Sequence, residues 1–455
     1  MNMNGSIRRP VFRAVTVLTL LLLVFADYYF YRDNIYPGVY LYGINVGGLT
    51  KTQARRLVQS KLDMENYSDK PVLVHFNERT WTYSCRELGV AADWADSLAR
   101  AFAAGRSKSV ILNYPERISL LLKPLKLPLS FGVDSLRFSQ ELAPVAQYIY
   151  REPREARFIL AEDGATVKIV PEITGRSLLL EESRQLLENT LETYPSVVSL
   201  PLLVRESRPA RTEADLRELR VRTEVSSFST KFALSLPGRV HNIRLAASAL
   251  DGMLIEPGGE FSFNAAVGET GEAQGYQPAP VIISGEFVEG VGGGVCQVSS
   301  TLYNAVLLAG LQVMERTGHS LAVGYVPPGR DAAVVYGWRD LRFLNNLGHG
   351  IWIRAFVKGD RLTIRLFGET VAGKEIKLLT TDLEVIPKST NYTETELFAA
   401  GTQEQVKPGQ DGYRVNVWRV TYLNGTEAGR ELLSRDTYRP VAAEILVGTG
   451  GTPLR

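Results

Sequence analysis

The chain contains little cysteine and histidine, and this scarcity excludes several kinds of site. Its 455 residues include two cysteines and four histidines, namely Cys85, Cys296, His75, His241, His319 and His349. No pair of histidines has the close spacing of a zinc site, so we expect no metal. The sequence also has neither a glycine loop ending in Lys-Ser/Thr nor a Gly-x-Ser-x-Gly elbow, and we predict no cofactor.

An excess of charge of one sign is also absent. The net charge is +2, and 22% of the residues are charged while 45% are hydrophobic. Nucleic-acid binding calls for basic clusters on one face, so we expect no nucleic-acid partner. The composition is that of a globular protein. At ~100–200 residues per domain, the length indicates about three domains.

The N-terminal segment, residues 1–37, carries the strongest signal for location. Arg8, Arg9 and Arg13 precede or flank an apolar run over residues 14–26, and Asp27 and aromatic residues 28–31 follow it. The pattern fits a single-pass anchor if the run is counted through Tyr31, because a span needs about 20 residues. It also fits a cleaved signal peptide, with "VFA" before Asp27 as the cleavage site. Either way, residues from about 32 onward are expected outside the cytoplasm. We predict a membrane protein with an extracellular C-terminal region, with a secreted, wall-associated protein as the alternative.

Residues 38–210 contain a repeat. The stretch "RTWTYSCRELGVAADWADSLARAF" from Arg79 matches "ATVKIVPEITGRSLLLEESRQLLE" from Ala165 in pattern, with Gly89 falling on Gly175. The apolar runs "PVLVHF" and "ARFIL" precede the two stretches, each followed by a polar turn. Each copy therefore predicts a strand, a turn, a strand, a glycine and then a helix. The segment "GINVGGLTKTQARRL" fits the same logic, with Thr50 as the helix N-cap. We therefore predict an α+β repeat domain here.

Two further domains follow a charged linker at residues 205–219. Residues 221–368 alternate strand and turn signals around one helix, "QVSSTLYNAVLLAGLQVMER", with further strands predicted in "SLAVGYV" and "AAVVYG". Its apolar positions Val298, Leu302, Val306, Leu307 and Val313 predict an inward stripe. Residues 372–451 are rich in strand patterns such as "YRVNVWRVTY", which predicts a small all-β module. The fold class is thus α+β and multidomain.

Cys296 follows Gly292, Gly293 and Gly294 after one intervening residue, Val295, at the predicted start of this helix. Glycines permit a close approach of substrate. A helix N-terminus favours the thiolate, the reactive form of cysteine. Ser299 and Ser300 are predicted to cap the helix. A small buried thiol is the alternative, and the residues alone leave the two about evenly balanced. A disulfide between Cys85 and Cys296 outside the cell would block the nucleophile.

His319 is the candidate partner of Cys296. A strand over "SLAVGYV" would bring His319 back alongside the helix, and Asp331 or Asp340 would then orient its imidazole. A satisfied core or surface histidine is the alternative. Arg330, in the turn "PPGRDA", has the chemistry to hold a carboxylate, although a surface role fits it equally well.

These motifs resemble known families. "GGGVCQVSSTLYNAVLLAGL", "HSLAVGYVPPGRDAAVVYG" and "NIRLAASALDGMLIEPGGEFSFNAAVG" closely resemble the VanW family of Gram-positive cell-surface proteins. "GINVGGLT" and "PEITGR" resemble a peptidoglycan-binding domain often found before VanW. Residues 372–451 resemble a G5 domain, a class thought to bind wall polymers, with glycines at Gly401, Gly409, Gly412, Gly425 and Gly448.

The resemblance implies a function. Some VanW-domain proteins are regarded as L,D-transpeptidases that form 3-3 peptidoglycan crosslinks through a cysteine thioester. Carried over, Cys296 is the nucleophile, His319 the base, and Asp331 the candidate third member. We predict substrate contacts from Gly293, Gly294, Gln297, Ser299, Ser300, Tyr325 and Arg330. The expected partners are peptidoglycan stem peptides and glycan, together with the membrane.

One feature departs from the family pattern. Trp338 and Arg339 stand where smaller residues are expected before "DLRF", which puts the shape of the cleft wall in doubt. A non-catalytic peptidoglycan-binding scaffold linked to glycopeptide resistance is the alternative function. A hydrolase of the same acyl-enzyme type is a third.

Overall fold

The computed structural model describes residues 8–109, 112–192, 197–283 and 286–450. The first seven residues of the predicted N-terminal segment, and residue 451 at the end of the predicted C-terminal module, lie outside this range. The chain forms two compact units, Met1–Arg154 with Ile173–Pro209 and Glu155–Glu172 with Ala210–Arg455. Helices and strands alternate in the first unit and in the early part of the second, and strands alone make up the end. The predicted α+β multidomain class is confirmed.

The helices are distributed over both units. In chain order they are α1 (Arg8–Tyr31), α2 (Lys51–Met64), α3 (Trp94–Ala103), α4 (Tyr114–Leu122), α5 (Ser135–Ile149), α6 (Leu180–Glu192), α7 (Glu213–Glu218), α8 (Pro237–Leu250), α9 (Phe263–Val267) and α10 (Val295–Ala309). Short 3-10 turns lie at Tyr67–Asp69 and Glu272–Gln274.

The strands are mostly short until the C-terminal part of the chain. In chain order they are β1 (Val39–Leu41), β2 (Ile44–Asn45), β3 (Pro71–Phe76), β4 (Arg79–Ser84), β5 (Val90–Ala92), β6 (Leu125–Leu127), β7 (Phe131–Val133), β8 (Arg157–Leu160), β9 (Val167–Val170), β10 (Gly175–Leu178), β11 (Val198–Pro201), β12 (Val204–Ser207), β13 (Thr223–Lys231), β14 (Leu254–Ile255), β15 (Glu260–Ser262), β16 (Pro278–Ile283), β17 (Glu286–Val291), β18 (Gln312–Glu315), β19 (Arg342–Leu344), β20 (Ile351–Lys358), β21 (Arg361–Gly368), β22 (Lys374–Ile386), β23 (Thr390–Thr395), β24 (Gln403–Lys407), β25 (Gly412–Leu423), β26 (Thr426–Tyr438) and β27 (Ala443–Gly448).

The sequence repeat corresponds to matching elements. Its first copy gives β3, β4, β5 and α3, and its second gives β8, β9, β10 and α6. Each copy has the predicted strand, turn, strand and helix, with an additional short strand, β5 or β10, before the helix. Thr50 caps α2 through a capping box with Gln53, as the Thr-x-x-Gln spacing predicts. In the first unit, β11 pairs with β3 in parallel and β3 with β4 antiparallel, over a continuous apolar core.

The β8–β9 hairpin lies within the predicted domain of residues 38–210, but it packs with the second unit. Residues 155–172 belong to the second unit, although the repeat had placed them within residues 38–210. Phe158 is buried against Trp352, and Thr166 bridges to Thr223. Pattern similarity identified the elements, but it could not show which core would bury their apolar side chains.

Helix α1 is long and apolar enough to cross a membrane. The stretch Phe12–Tyr31 has 20 residues and a mean hydropathy of 1.8, and none of it is buried. An anchor and a signal sequence near the N-terminus both meet this description. Ala26 and Asp27, the flanks of the predicted cleavage point, lie within the helix. Asp27 pairs with Arg117 of the first unit and accepts a hydrogen bond from Tyr114 at 3.2 Å.

In the second unit, an antiparallel sheet carries the helix that holds Cys296. Its strand order is β13-β21-β20-β14. Helix α10 packs on β13 and β21, and nearly every residue of it is buried, as its apolar sequence predicts. The buried polar side chains are satisfied: Ser226 donates to Ala305 O at 2.7 Å, and Thr230 and Thr301 are 2.8 Å apart. Near the start of the helix, Gln297 Nε2 donates to Thr230 Oγ1 and Lys231 O of β13, both at 2.9 Å, so the sheet also fixes this end.

The helix is shorter than predicted. It ends at Ala309, because Gly310 adopts a left-handed conformation with φ of 79° and terminates it. The expected stripe position Val313 therefore lies on β18. No strand forms over residues 319–337 where two were predicted. Pro327, Pro328 and several glycines interrupt that segment, and it packs as turns against α10.

The last part of the second unit consists of two small sheets. The long strands β22, β25 and β26 form one antiparallel sheet, and β23, β27 and β24 form the other. Val415, Val417 and Tyr438 are buried together with Ala322 of the preceding loop. This all-β region, called the C-terminal module below, agrees with the predicted strand pattern.

Candidate active site

The glycines before Cys296 are required by the local geometry. Gly292 and Gly294 have φ of 85° and 108°, values that favour glycine. A Cβ on Gly293 would lie 2.7 Å from the carbonyl oxygens of both Ala279 and Pro280. Asn242 of α8 donates to Gly293 O at 3.0 Å and fixes the turn. Cys296 is therefore held in the first turn of α10.

The structure brings His319 and Asp331 to this point. His319 Nδ1 lies 2.5 Å from Asp331 Oδ2, and the His319 backbone N–H donates to the same oxygen at 2.7 Å. The same imidazole interacts with the Cys296 thiol and lowers its pKa. Because Nδ1 is engaged by Asp331, Nε2 is the ring nitrogen that serves the thiol. The three side chains form a Cys–His–Asp sequence of contacts.

Burial and charge act in opposite directions on these groups. Burial raises the pKa of the Cys296 thiol, but the hydrogen bond and charge of His319 outweigh it, and the thiol pKa falls below its ordinary value. Burial lowers the pKa of His319, yet its contacts with Asp331 and Cys296 raise it to about 9. Burial likewise opposes ionisation of Asp331, but His319 and Arg316 lower its pKa to about 2. At neutral pH the arrangement therefore favours a thiolate–imidazolium pair beside a carboxylate.

Backbone groups near the thiol are also placed for chemistry. Cys296 Sγ lies 3.5 Å from Val334 O, which accepts a hydrogen bond from the thiol in its neutral form. Among the described residues, the Cys296 N–H has no acceptor. This free donor at the positive end of α10 can stabilise an oxyanion formed on a carbonyl that Cys296 attacks.

Cys296 is partly exposed at the bottom of a groove of about 830 Å³. The side chains lining it in the described part of the chain include three arginines, Arg239, Arg339 and Arg439, and no aspartate or glutamate. Arg239 donates to Gln297 Oε1 at 2.8 Å and has no carboxylate partner in the described residues. Burial lowers the pKa of Arg239. A half-buried cation without a counterion is suited to bind an anionic group of a ligand.

The exposed rim includes the two residues that depart from the family pattern. Trp338 is 71% exposed, and the Arg339 guanidinium lies 4.2 Å from the centre of its ring. Tyr336 beside them is 55% exposed. These aromatic faces form an open platform next to the groove.

The predicted substrate-binding residues divide into two groups. Four line the groove: Gly293, Gly294, Gln297 and Tyr325. Three do not: Ser299, Ser300 and Arg330. Both serines are completely buried and donate to the Cys296 carbonyl oxygen, so they pack the helix instead of capping it. Arg330 donates to Asn304 Oδ1 at 2.6 Å, and this structural contact replaces the predicted carboxylate site.

The structure also shows where Asp340, the alternative acid, and the two cysteines lie. Asp340 accepts hydrogen bonds from Ser262 Oγ at 2.5 Å and Asn264 N at 2.9 Å, whereas Asp331 contacts His319. Cys85 and Cys296 are both free thiols. In the part of the chain that the structure describes, no group of three or more His, Cys, Asp or Glu side chains is arranged to hold a metal ion.

Several residues around the site were not predicted from the sequence. Arg239 lies on another helix, and Arg316, Asp436 and Tyr438 surround the far side of Asp331. Tyr438 and Asp331 are 107 residues apart in the chain. No local motif marks such partners, because only the packing of the C-terminal module brings them together.

The family comparisons match three parts of the chain. Residues 238–367 match "VanW like protein", residues 81–199 match "Putative peptidoglycan binding domain", and residues 379–450 match "G5 domain". Each match falls within one of the three domains expected from the sequence. Together they define the class, a cell-wall protein with a peptidoglycan-binding domain, a VanW domain and a G5 domain.

Curated relatives identify the family. The chain is 36% identical over 272 residues to "Uncharacterized protein YoaR" of Bacillus subtilis (strain 168), covering 59% of this chain and 86% of that protein. It is 33% identical over 122 residues to "Vancomycin B-type resistance protein VanW" of Enterococcus faecalis (strain ATCC 700802 / V583), covering 25% of this chain and 44% of that protein. The chain belongs to the VanW family.

Two solved structures are similar to part of the chain. "IgA1 Protease G5 domain structure" is 24% identical, with 17% of this chain and 93% of that chain covered and a TM-score of 0.14. "Crystal structure of HP0197-G5" is 17% identical, with coverage of 16% and 97% and a TM-score of 0.12.

Proposed function

We propose that the protein is a cysteine-dependent L,D-transpeptidase that forms 3-3 crosslinks between peptidoglycan stem peptides. The observation that carries the proposal is the Cys296–His319–Asp331 geometry at the bottom of an open groove. A thiolate beside an imidazolium is an activated nucleophile with its proton donor in place. The peptidoglycan-binding and G5 domains supply the setting, because they bring a wall polymer to the same chain.

The reaction divides into two acyl transfers. The Cys296 thiolate attacks the carbonyl carbon before the terminal D-alanine of a tetrapeptide stem, and the Cys296 N–H stabilises the resulting oxyanion. His319 Nε2–H gives its proton to the departing amine, the C–N bond breaks, and D-alanine leaves a thioester on Cys296. The amine of a neighbouring stem then attacks the thioester. Neutral His319 takes its proton, and the thiolate departs as the new amide forms.

The raised pKa of His319 refines its expected role. With a pKa of about 9, His319 carries its proton before the reaction begins. It therefore acts first as a general acid toward the leaving amine, and as a base only toward the acceptor amine. The sequence-based expectation of a base describes the second half of this cycle.

Charge in the groove supports an anionic peptide as the substrate. Stem peptides carry several carboxylates, and the groove offers three arginines with no opposing aspartate or glutamate among the described residues. Arg239 is the best placed of the three, because it donates to Gln297, the residue that follows Cys296 on α10. The aromatic rim at Tyr336 and Trp338 is suited to stack against a sugar ring of the attached glycan.

The proposal can be tested with the full chain in detergent or native membranes. Incubation with disaccharide-tetrapeptide muropeptides should yield 3-3 crosslinked dimers and free D-alanine, both measurable by mass spectrometry. Cys296→Ala should abolish both products. Cys85→Ala is the matched control, because it removes the other thiol of the chain and should leave dimer formation intact. Dimers formed equally well by Cys296→Ala would refute the proposal. Release of D-alanine without dimers would instead indicate the hydrolase.

A non-catalytic scaffold is the second candidate, and the comparisons favour it. Two of the three matched domains are of polymer-binding classes, and the Enterococcus relative carries resistance in its name. In this hypothesis the chain binds peptidoglycan in connection with glycopeptide resistance and turns nothing over. Strong binding to purified sacculi that Cys296→Ala leaves unchanged, with no product from wild type, would support the scaffold.

The N-terminal helix supports a membrane-anchored location in the same proposal. The span Phe12–Tyr31 has the length of a single crossing. Its last turns are held by other residues of the first unit, because Asp27 pairs with Arg117 and the Arg106 guanidinium donates to Tyr31 O. Mass spectrometry of the protein from membranes distinguishes the alternatives, since cleavage would give a chain that begins at Asp27.

A further inference from the structure

The two carboxylate oxygens of Asp331 face different parts of the second unit. Oδ2 accepts from the N–H and Nδ1 of His319, at 2.7 and 2.5 Å. Oδ1 accepts from Tyr438 Oη at 2.5 Å and from Arg316 Nη2 at 3.1 Å. Asp331 is 1% exposed, so water has little access to it. Its orientation toward His319 is therefore set by what holds Oδ1.

The Tyr438 hydroxyl has a fixed orientation. It accepts a hydrogen bond from the Gly329 N–H at 2.7 Å and donates to Asp331 Oδ1. Tyr438 is the last residue of β26, and it is 1% exposed. Burial, together with the neighbouring Asp331, raises the pKa of Tyr438, so the hydroxyl remains a donor at any physiological pH.

Asp436, on the same strand as Tyr438, holds Arg316, the other donor to Asp331 Oδ1. Arg316 donates to Asp331 through Nε at its backbone oxygen, 2.6 Å away, and through Nη2 at its carboxylate. Its remaining nitrogen, Nη1, donates to Asp436 Oδ1 at 2.5 Å. Asp436 thus restrains the arginine that contacts Asp331. Asp436 and Tyr438 both come from β26 of the C-terminal module.

The loop that carries Asp331 also fits closely against this module. A Cβ on Gly329 would lie 2.3 Å from Val417 Cγ2 and 3.0 Å from Val415 Cγ2. Gln410 donates to Ala322 O at 2.7 Å, and Arg439 N donates to Ser320 O at 2.9 Å. The segment from His319 to Asp331 is thus held on one side by α10 and on the other by the C-terminal module.

We propose that Tyr438, supported by Asp436 through Arg316, is a positioning residue that aligns Asp331 with His319, so that the C-terminal module is a structural part of the catalytic site. The inference rests on the proposed function for its role in turnover. It goes beyond wall binding, because it makes one strand of the G5 domain necessary for the ionisation of the Cys296 thiol.

The test compares Tyr438→Phe with Tyr413→Phe in the full chain. Tyr413 lies directly opposite Tyr438 on β25, and its hydroxyl has no partner in the described residues. The first readout is alkylation of Cys296 by iodoacetamide near pH 6, which needs no substrate. Loss of a buried hydrogen bond to a carboxylate should slow alkylation by about three- to tenfold in Tyr438→Phe. Tyr413→Phe should stay within about twofold of wild type.

The second readout separates positioning from general destabilisation. In turnover, Tyr438→Phe should lower kcat by about tenfold with KM nearly unchanged. In an Asp331→Asn background, adding Tyr438→Phe should change either rate by less than about twofold, because the tyrosine acts through Asp331. An equal loss in both backgrounds, or equal effects of the two tyrosine variants, would overturn the inference.

Thermal unfolding checks that each variant folds. If Tyr438→Phe does not fold, Asp436→Asn replaces it: Arg316 then pairs with Asp331 alone, and alkylation should again slow by about threefold. Alkylation at the wild-type rate in Asp436→Asn would then overturn the inference. If wild type makes no 3-3 dimers while the alkylation pattern holds, the proposed reaction fails and the positioning role of Tyr438 stands.

Discussion

Replacing His319 with glutamine should raise the pKa of the Cys296 thiol and suppress its reactivity below neutral pH. Burial already raises this pKa, and His319 supplies the largest opposing effect. Glutamine keeps a polar side chain of similar length but cannot carry the positive charge. The desolvation of Cys296 would then act without its main compensation, and the pKa should rise above the ordinary thiol value of 9.0.

The size of the effect follows from the coupling between the two groups. His319 has its pKa raised from 6.5 to about 9 by Asp331 and Cys296 together. These contacts outweigh the burial of the imidazole, which by itself lowers the pKa. The coupling between two titrating groups is reciprocal. Loss of His319 should therefore raise the thiol pKa by at least about one unit, which lowers the thiolate fraction below the pKa by about tenfold or more.

Iodoacetamide alkylation followed by peptide mass spectrometry measures this directly over a pH series. Wild-type Cys296 should react with a midpoint below pH 9, and His319→Gln with a midpoint above it. Cys85 is an internal control, because burial raises its pKa to about 11 and the residue is fully buried. Identical pH profiles for wild type and His319→Gln would refute the ion-pair reasoning.

Three further predictions concern stability and binding. Gly294→Ala should cost about 2 kcal/mol or more, because φ is 108° and the new Cβ would lie 2.9 Å from Ile243 Cγ1; Gly324→Ala, which meets open space, is the control in chemical denaturation, and equal losses would contradict the argument. Arg239→Gln should raise KM for an anionic stem peptide by about tenfold with kcat within about threefold, whereas Arg244→Gln on the exposed face of α8 should change neither; a fall in kcat alone would argue against a binding role. The folded-state pKa of His319 is raised, so the stability it contributes is complete below pH 6.5 and is lost as the pH rises through about 9. The difference in unfolding free energy between wild type and His319→Gln should therefore shrink from pH 6 to pH 10, and a difference that grows would contradict the assignment.

The start of the site could be predicted from the sequence because its determinants are local. Three consecutive glycines permit unusual backbone conformations, and the apolar run after Cys296 predicts a buried helix, so the thiol was expected at a helix N-terminus. The end of the same helix was predicted wrongly. The apolar periodicity continues past Gly310, but the left-handed conformation of that glycine terminates the helix before Val313.

Contacts that depend on distant parts of the chain could not be predicted in this way. Arg330 has the chemistry to hold a carboxylate, but its Nε donates to Asn304 on the buried helix and the residue does not line the groove. Ser299 and Ser300 resemble capping residues, yet they lie beyond the first turn and bond the Cys296 carbonyl. Tyr438 shows the limit most clearly, because nothing near it in sequence indicates an acid 107 residues away.

The central claim is that Cys296 forms a thioester with a stem peptide. Its most direct test is mass spectrometry of the full-length protein quenched in acid during turnover of a tetrapeptide muropeptide without an acceptor. We expect an adduct on the peptide containing Cys296, equal in mass to the stem acyl group after loss of D-alanine, and no such adduct in Cys296→Ala. Crosslinked product without any adduct on Cys296, or an adduct that persists in Cys296→Ala, would contradict it.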